Sequence, residues 1–202
     1  MERESRPLIL AMKGHPGTGK STLARAIAAA LRFPLLDKDD IRDHTLPIQT
    51  LLINNSPSAS ALLNDLSYAV LWRIAETQLR LGLSVIIDSP LSRRAHLDRL
   101  LSLAAGSGAR LKVVECRPGN ENEWRRRLEA RAASGGDCEE GWHKPASWGQ
   151  LRRLVEGYEG RSDYEFGGVA KLLVDTTAGE TVENMVAKVL EFLVDDNCES
   201  VD

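Results

Sequence analysis

The chain of 202 residues has few cysteines and no long apolar run. Its three cysteines, Cys116, Cys138 and Cys198, are far apart and form neither a C-x-x-C pair nor a cluster with histidine at metal-ligand spacing. This pattern argues against a disulfide framework and against a zinc site. Because unpaired cysteines are typical of reducing compartments, we expect an intracellular protein.

No segment reaches the roughly 18 consecutive apolar residues that a membrane-spanning helix needs. The first apolar run of the chain is short, lacks the length of a signal-peptide core, and leads directly into a glycine-rich loop. We therefore expect a cytoplasmic protein that has no membrane partner.

Neither sign of charge is in excess, since 26 lysines and arginines against 29 aspartates and glutamates give a net charge of −3. This balance argues against broad, non-specific binding of nucleic acid, which depends on positive charge. A local basic site stays open, because three arginines stand in succession from Arg125 to Arg127.

The length and the composition, with 43% hydrophobic and 27% charged residues, fit one soluble domain over residues 1–202. Apolar runs alternate along the chain with stretches of helical spacing, which predicts an α/β fold with a parallel sheet and helices on both faces. The acidic end, 195–202, is expected to fray.

Five strands are expected, at 7–12, 34–36, 83–87, 111–116 and 170–175. The predicted helices are 20–32, a short one from Asp39-Asp40, and then 60–81, 93–105, 122–133 and 181–194. Two stretches do not fit this alternation, 44–59 and 134–145, and both are predicted to be loops.

One motif identifies a phosphate-binding loop. Gly14 to Ser21 reads GHPGTGKS and matches G-x-x-x-x-G-K-[ST] between the first strand and the first helix. Glycines let backbone N–H groups converge on phosphate oxygens, Lys20 would reach the β- and γ-phosphates, and Ser21 would bind Mg²⁺. The predicted nucleotide-binding residues are Gly14, Gly17, Thr18, Gly19, Lys20, Ser21 and Thr22.

A GTPase is disfavoured because the sequence has no N-K-x-D motif, and a large ATPase machine is disfavoured by the length. What remains is a small kinase that holds ATP and a second substrate beneath mobile lids.

Four segments together carry a family resemblance. They are GHPGTGKST at Gly14 to Thr22, LLDKDDIRD at Leu35 to Asp43, VIIDSPLSR at Val85 to Arg93, and RRRLEAR at Arg125 to Arg131. The chain resembles the predicted-kinase group of P-loop NTPases, which is similar to the kinase domain of polynucleotide kinase, chloramphenicol phosphotransferase and zeta-toxin kinases. The resemblance implies a three-layer P-loop NTPase fold, a helical lid over about 117–146, Mg²⁺, and ATP as co-substrate.

On the acceptor side, the resemblance makes Asp39 the base that takes the proton of the attacking hydroxyl. It also makes Arg42 a residue that engages the acceptor or the phosphoryl group. Asp37 is an alternative base, because several carboxylates crowd this segment and some must be helix caps or solvated charges.

Asp88 ends an apolar run, as the acidic residue of a Walker B strand does, which favours a place beside Mg²⁺ or the acceptor. The alternative for Asp88 is a helix N-cap. Arg93 could hold an anionic group of the substrate or could simply be a solvated helix start.

Arg127 and Arg131 lie one helical turn apart, which is the spacing of the lid arginines in this group, whereas Arg125 and Arg126 point elsewhere. Guanidinium groups there would neutralise the transferring phosphoryl group, although such a run is also typical of a solvated face.

The segment Gly141 to Pro145 with Trp148 is either a wall of the acceptor pocket or a packing anchor. The strand end from Val174 to Thr177 is where adenine lies in related kinases.

The leading hypothesis is an ATP-dependent kinase whose acceptor is a hydroxyl of a small molecule, with catalytic residues Lys20, Asp39, Arg42, Arg127 and Arg131. A second hypothesis is a 5′-hydroxyl polynucleotide kinase, which the net charge and the lack of a base-stacking platform disfavour. A third is a non-catalytic nucleotide-binding module. The sequence does not name the acceptor.

Overall fold

The fold begins with a strand that is buried along its whole length, LILAMK. In this computed structural model, which describes residues 6–52, 58–134 and 143–194, that strand is the centre of a five-stranded parallel sheet. Its strands are β1 (Leu8–Lys13), β2 (Leu35–Asp37), β3 (Val85–Asp88), β4 (Arg110–Arg117) and β5 (Ala170–Asp175), in the order β2-β3-β1-β4-β5.

Helices cover both faces of the sheet. They are α1 (Lys20–Leu31), α2 (Lys38–Asp43), α3 (Leu46–Leu52), α4 (Ala59–Arg80), α5 (Arg94–Ser107), α6 (Glu121–Ser134), α7 (Trp148–Glu156) and α8 (Val182–Val194). Alternate residues of β1 enter two separate cores, with Ile9 on the side of α4 and α5 and Leu10 on the side of α1 and α8. The expected three-layer α/β fold with five parallel strands is therefore confirmed.

Two helices occur where the sequence patterns gave none. Helix α3 lies within the stretch 44–59, which was predicted to be a loop, and none of its residues is buried. Its apolar side chains Ile48, Leu51 and Leu52 are exposed, and seven residues are too few to establish a helical period. Residues 53–57, in the same stretch, lie outside the described residues.

Helix α7 was also missed, although its start carries a recognisable signal. The side chain of Ser147 accepts a hydrogen bond from the Gln150 backbone N–H at 3.3 Å, and Leu151 is buried. Serine followed three residues later by glutamine is the sequence pattern of a capping box. Of the other predicted loop, 134–145, residues 135–142 lie outside the described residues.

A buried carboxylate joins β1, β4 and β5 near the phosphate-binding loop. Glu115 of β4 accepts hydrogen bonds from Lys13 at 3.0 Å, from Lys171 at 2.9 Å and from Arg117 at 3.0 Å. Burial opposes the charge of Glu115, but these three cations more than compensate and hold its pKa at about 2. Because Lys13 directly precedes the loop, this network fixes where the loop begins.

We expect Glu115→Gln to lower the free energy of unfolding by about 3 kcal/mol at pH 7, because three cations lose their counter-charge. A depressed pKa stabilises the fold above the ordinary value of 4.5, and that contribution is lost as the pH falls toward 2. The difference between variant and wild type in urea unfolding should therefore shrink from pH 5 to pH 2. The control is Asp163→Asn, which removes an exposed partner of Arg117 and should change little. An equal loss at all pH values would contradict this account.

Candidate active site

The loop between β1 and α1 has the backbone shape that a phosphate cradle needs. Gly17 and Gly19 have φ angles of +82° and +81°, in the left-handed region that favours glycine. At Gly14, a Cβ atom would stand 2.8 Å from the carbonyl oxygen of Cys116. Side chains at these three positions would therefore strain or displace the loop.

Internal hydrogen bonds support the loop from beneath. Thr18 is buried, and its hydroxyl donates to the His15 carbonyl at 2.9 Å. The hydroxyl of Thr176, just after β5, donates in turn to the carbonyl oxygen of Thr18. The predicted nucleotide residue Thr18 thus holds the shape of the loop with its side chain.

A cleft of about 1530 Å³ opens above the carboxyl ends of the strands. This is the edge where parallel α/β sheets bind ligands. The cleft brings together most of the predicted site residues, which are Gly14, Gly17, Thr18, Gly19, Lys20, Ser21, Thr22, Asp39, Arg93, Arg127 and Arg131.

Lys20 and Asp88 form an ion pair at the base of this site. Asp88 is fully buried, at 0% exposed, and ends β3 beside Met12 of β1 and Asp37 of β2. Its Oδ1 atom accepts from the Lys20 ammonium, while Oδ2 has no hydrogen-bond partner among the described residues. A buried oxygen of this kind is suited to accept from a water bound to a metal ion.

The donors near Asp88 fit Mg²⁺ better than a metal held by protein ligands alone. Within 6–52, 58–134 and 143–194, no group of three or more His, Cys, Asp or Glu side chains could hold a metal ion. Mg²⁺ commonly keeps several waters and binds through one or two protein oxygens and the phosphates of its substrate. The hydroxyl of Ser21 and the carboxylate of Asp88 could supply those protein oxygens.

Asp37 caps α2 and stands beside Asp88. Its carboxylate accepts from the Asp39 backbone N–H at 2.9 Å, and the two carboxylates of Asp37 and Asp88 end paired strands in register. Burial, followed by the charge of Asp88, raises the pKa of Asp37 to about 6. Asp37 therefore has both a structural role and the protonation behaviour of a possible base.

Asp39 lies at the cleft between two lysines. Its carboxylate is 2.7 Å from Lys38 and 2.8 Å from Lys144. Burial alone would raise the pKa of Asp39, but the two ammonium groups hold it below its ordinary value. The carboxylate is thus ionised at neutral pH and oriented by partners from two separate segments.

The short segment that begins at His143 closes over Asp39. His143 Nε2 lies 3.0 Å from Asp43 Oδ1, and burial lowers the pKa of His143 to about 4, so the ring is neutral at neutral pH. The sequence indicated Gly141 to Pro145 as a wall of the site, and its described part, His143 to Pro145, does line the cleft. Lys38 and Lys144 were not predicted as individual site residues.

Arg42 is not where the family resemblance led us to expect it. Only 2% of Arg42 is exposed, and its guanidinium donates to Thr45 Oγ1, to Gln49 Oε1 at 2.6 Å and to Ser60 Oγ at 3.1 Å. These partners belong to the junction of α2, α3 and α4, so Arg42 does not line the cleft. In this structure Arg42 is therefore a structural link between three helices, and its role toward the acceptor stays a prediction.

Arg127 and Arg131 of α6 both face the cleft. Arg127 donates to the Thr176 carbonyl at 2.9 Å and to Glu123 at 2.7 Å, and Arg131 donates to the Pro145 carbonyl at 2.9 Å. Their neighbours in the run, Arg125 and Arg126, instead form exposed ion pairs along the helix with Glu129 and Glu123. The helical spacing thus predicted which arginines face the cleft and which are exposed on the outer side of the helix.

Aromatic side chains attach α6 and α7 to the phosphate-binding loop. His15 stacks between Trp124, at 6.2 Å between ring centroids, and Tyr158, at 5.9 Å. Trp124 Nε1 donates to the Pro16 carbonyl at 2.9 Å, and Trp148 packs edge-on against Trp124 at 5.2 Å. We call these four rings the aromatic column. Trp148 is therefore a packing anchor, and the column was not predicted.

The sheet order, the loop and the cleft define a P-loop nucleotide-binding protein. The match to a family profile is more specific, since residues 9–146 match the AAA domain family. The chain therefore belongs to that family. Among curated proteins, none matches it significantly.

Solved structures with the same fold include several kinases. A candidate kinase from Chloroflexus aurantiacus shares 24% identity with a TM-score of 0.67, covering 93% of this chain and 96% of its own. A sugar kinase from Janibacter sp. shares 16% identity with a TM-score of 0.61, covering 98% of this chain and 100% of its own. A gluconokinase from Sinorhizobium meliloti shares 20% identity with a TM-score of 0.57, and the match covers 93% of this chain and 92% of the gluconokinase. At these identities the likeness establishes a shared fold.

Among the helices of the described residues, none has both the length and the apolar character needed to cross a membrane.

Proposed function

We propose that this protein is an ATP-dependent kinase that transfers the γ-phosphate of ATP to a hydroxyl group of a small molecule. One observation carries the proposal: Lys20 and Ser21 of the phosphate-binding loop line the same cleft as the carboxylate of Asp39. A P-loop alone would also suit an ATPase. An oriented, ionised carboxylate across the cleft gives an acceptor hydroxyl a partner, which favours phosphoryl transfer.

On the nucleotide side, the loop N–H groups and the start of α1 would surround the β- and γ-phosphates. Lys20 would place its ammonium against the same phosphates. Ser21 would bind Mg²⁺ directly, and Asp88 would hold it through water. When bound, Mg²⁺ neutralises charge on the β- and γ-phosphates. Adenine would lie toward Thr176 and Met185, which also line the cleft.

On the acceptor side, the hydroxyl oxygen would bond to the γ-phosphorus while the bond from that phosphorus to the β,γ-bridging oxygen breaks. ADP leaves with the electron pair of the broken bond, and the hydroxyl proton passes to Asp39. Lys38 and Lys144 keep this carboxylate ionised and oriented before the reaction. Asp39 would contribute both by orienting the hydroxyl in line with the γ-phosphate and by taking its proton.

The lid would complete the site from above. Arg127 and Arg131 face the cleft from α6 and could neutralise the charge on the equatorial oxygens of the transferring group. The Thr176 carbonyl and Glu123 hold Arg127, and the Pro145 carbonyl accepts from Arg131. Closure of such a lid would also keep water from attacking the γ-phosphate.

The test is transfer of labelled phosphate from Mg-ATP, followed by mass spectrometry. The acceptors are sugars, polyols, sugar acids, nucleosides and 5′-hydroxyl oligonucleotides, and hydrolysis to free phosphate is measured in parallel. We expect one class of small hydroxyl compound to be phosphorylated at a rate well above hydrolysis. Transfer to oligonucleotides alone would refute the small-molecule acceptor, and hydrolysis alone would refute the kinase.

A further inference from the structure

Arg93, directly before α5, is an exposed cation that lines the cleft. Within the described part of the chain, its guanidinium forms neither an ion pair nor a hydrogen bond. The neighbouring cations differ, since Lys38 and Lys144 are both bonded to Asp39. Arg93 therefore offers all its donors to whatever enters this part of the cleft.

The surface next to Arg93 is made of two rings. Tyr68 and His96 both line the cleft, with ring centroids 4.0 Å apart. Burial, and then the charge of Arg93, lowers the pKa of His96 to about 4, so the ring is neutral at neutral pH. Arg93 also opposes the upward shift that burial gives the pKa of Tyr68. The positive charge of Arg93 thus lowers the pKa of both rings.

The carboxylates that face these rings do not cancel Arg93. Asp39, which acts on Tyr68, is itself bonded to two lysines. Asp65, which acts on His96, forms no ion pair with Arg93 in the described residues. The remaining carboxylates that line the cleft, Asp37, Asp40, Asp43 and Glu180, form no ion pair with Arg93 within the described part of the chain. Positive charge therefore stays uncompensated at Arg93.

We propose that Arg93 binds an anionic group of the acceptor, so that the substrate is a small hydroxyl compound that also carries a carboxylate, phosphate or sulfate. This inference rests on the proposed function and deepens it. A guanidinium can bind two oxygens of such a group at once, and this fixes the orientation of the bound molecule. With its anionic group on Arg93 and its hydroxyl toward Asp39, the acceptor would be held at two points across the cleft.

The experiment compares acceptors in matched pairs that differ only in charge: gluconate with glucitol, glycerate with glycerol, and ribose phosphate with ribose. We expect the charged member of at least one pair to have a kcat/KM at least about tenfold higher than its neutral partner. Comparing the carboxylate and phosphate pairs tells which anionic group the site accepts. A preference for the neutral member in every active pair would overturn the inference.

The matched variants are Arg93→Met and Arg94→Met. Arg94 is the adjacent arginine, but it is bonded to Asp98 at 2.8 Å and to the Glu165 carbonyl at 2.8 Å, outside the cleft. Arg93→Met should raise the KM of the charged acceptor by about tenfold or more and leave the KM of ATP unchanged, with partial rescue in Arg93→Lys. Arg94→Met should keep wild-type values. An unchanged charge preference in Arg93→Met would refute the assignment.

A second measurement separates this inference from the proposed function. The protein is saturated with Mg²⁺ and a non-hydrolysable ATP analogue, and thermal stabilisation by the same compounds is recorded. We expect the charged members to stabilise wild type and Arg94→Met, but not Arg93→Met. If the charged compounds stabilise the protein but are not phosphorylated, the anion site at Arg93 is supported and the proposed kinase function is refuted. Transfer without charge dependence, or no stabilisation by any charged member, would refute the anion site.

Discussion

Replacing Lys20 with methionine should reduce phosphoryl transfer by at least about a hundredfold, because the charge that faces the phosphates is lost. The same change should lower stability, since the ammonium of Lys20 is the partner of the fully buried Asp88. Leaving a buried carboxylate without its partner costs about 3 to 5 kcal/mol. Steady-state kinetics and urea unfolding measure the two effects separately.

The double variant Lys20→Met/Asp88→Asn distinguishes the two roles of this ion pair. It removes the buried charge together with its partner, so most of the stability should return. Transfer should stay low, because neither the ammonium nor the carboxylate proposed to hold Mg²⁺ is restored. Recovery of transfer in the double variant would show that Lys20 acts only by neutralising Asp88.

Replacing Asp39 with asparagine should lower kcat by about a hundredfold or more, which is within the usual range for a general base. ATP binding should be retained, because Asp39 belongs to α2 and not to the phosphate-binding loop between β1 and α1. The measurements are single-turnover transfer and the dissociation constant of a fluorescent ATP analogue. A normal turnover rate would overturn the assignment of the base, and loss of ATP binding would indicate that the variant disturbs the site as a whole.

Asp37→Asn is the matched comparison, since asparagine is also a good N-cap and should preserve α2. The pH dependence separates the two carboxylates. If Asp37 were the base, the rate would fall below its pKa of about 6, because the base must be ionised. With Asp39 as the base, whose pKa lies below its ordinary value, the rate should have no acidic limb near pH 6.

The sequence predicted the sheet and the phosphate-binding loop well because both rest on local rules. The apolar run of β1 and the glycines at Gly14, Gly17 and Gly19 carry their signal within a few residues. The lid arginines were separable for a related reason, since helical spacing alone turns Arg127 and Arg131 to the same side. These features need no knowledge of which distant segments come together.

The acceptor side could not be derived in that way. Arg42 has the spacing of an acceptor residue, but its side chain is directed by Gln49 and Ser60, which reach it only after α3 and α4 have packed. Lys144 meets Asp39 across more than a hundred residues of sequence. Which side chains complete a cleft is decided by such long-range packing, so a motif can indicate the segment without indicating the contact.

The aromatic column has a consequence for exchanging parts between related proteins. His15 and Pro16 occupy the variable positions of the P-loop motif, yet one stacks on Trp124 and the other accepts its indole hydrogen bond. Helix α6 and these two positions are therefore one interchangeable unit. A chimera that receives a new α6 without the matching residues at 15 and 16 would lose the ring stacking and the hydrogen bond that join this helix to the phosphate-binding loop.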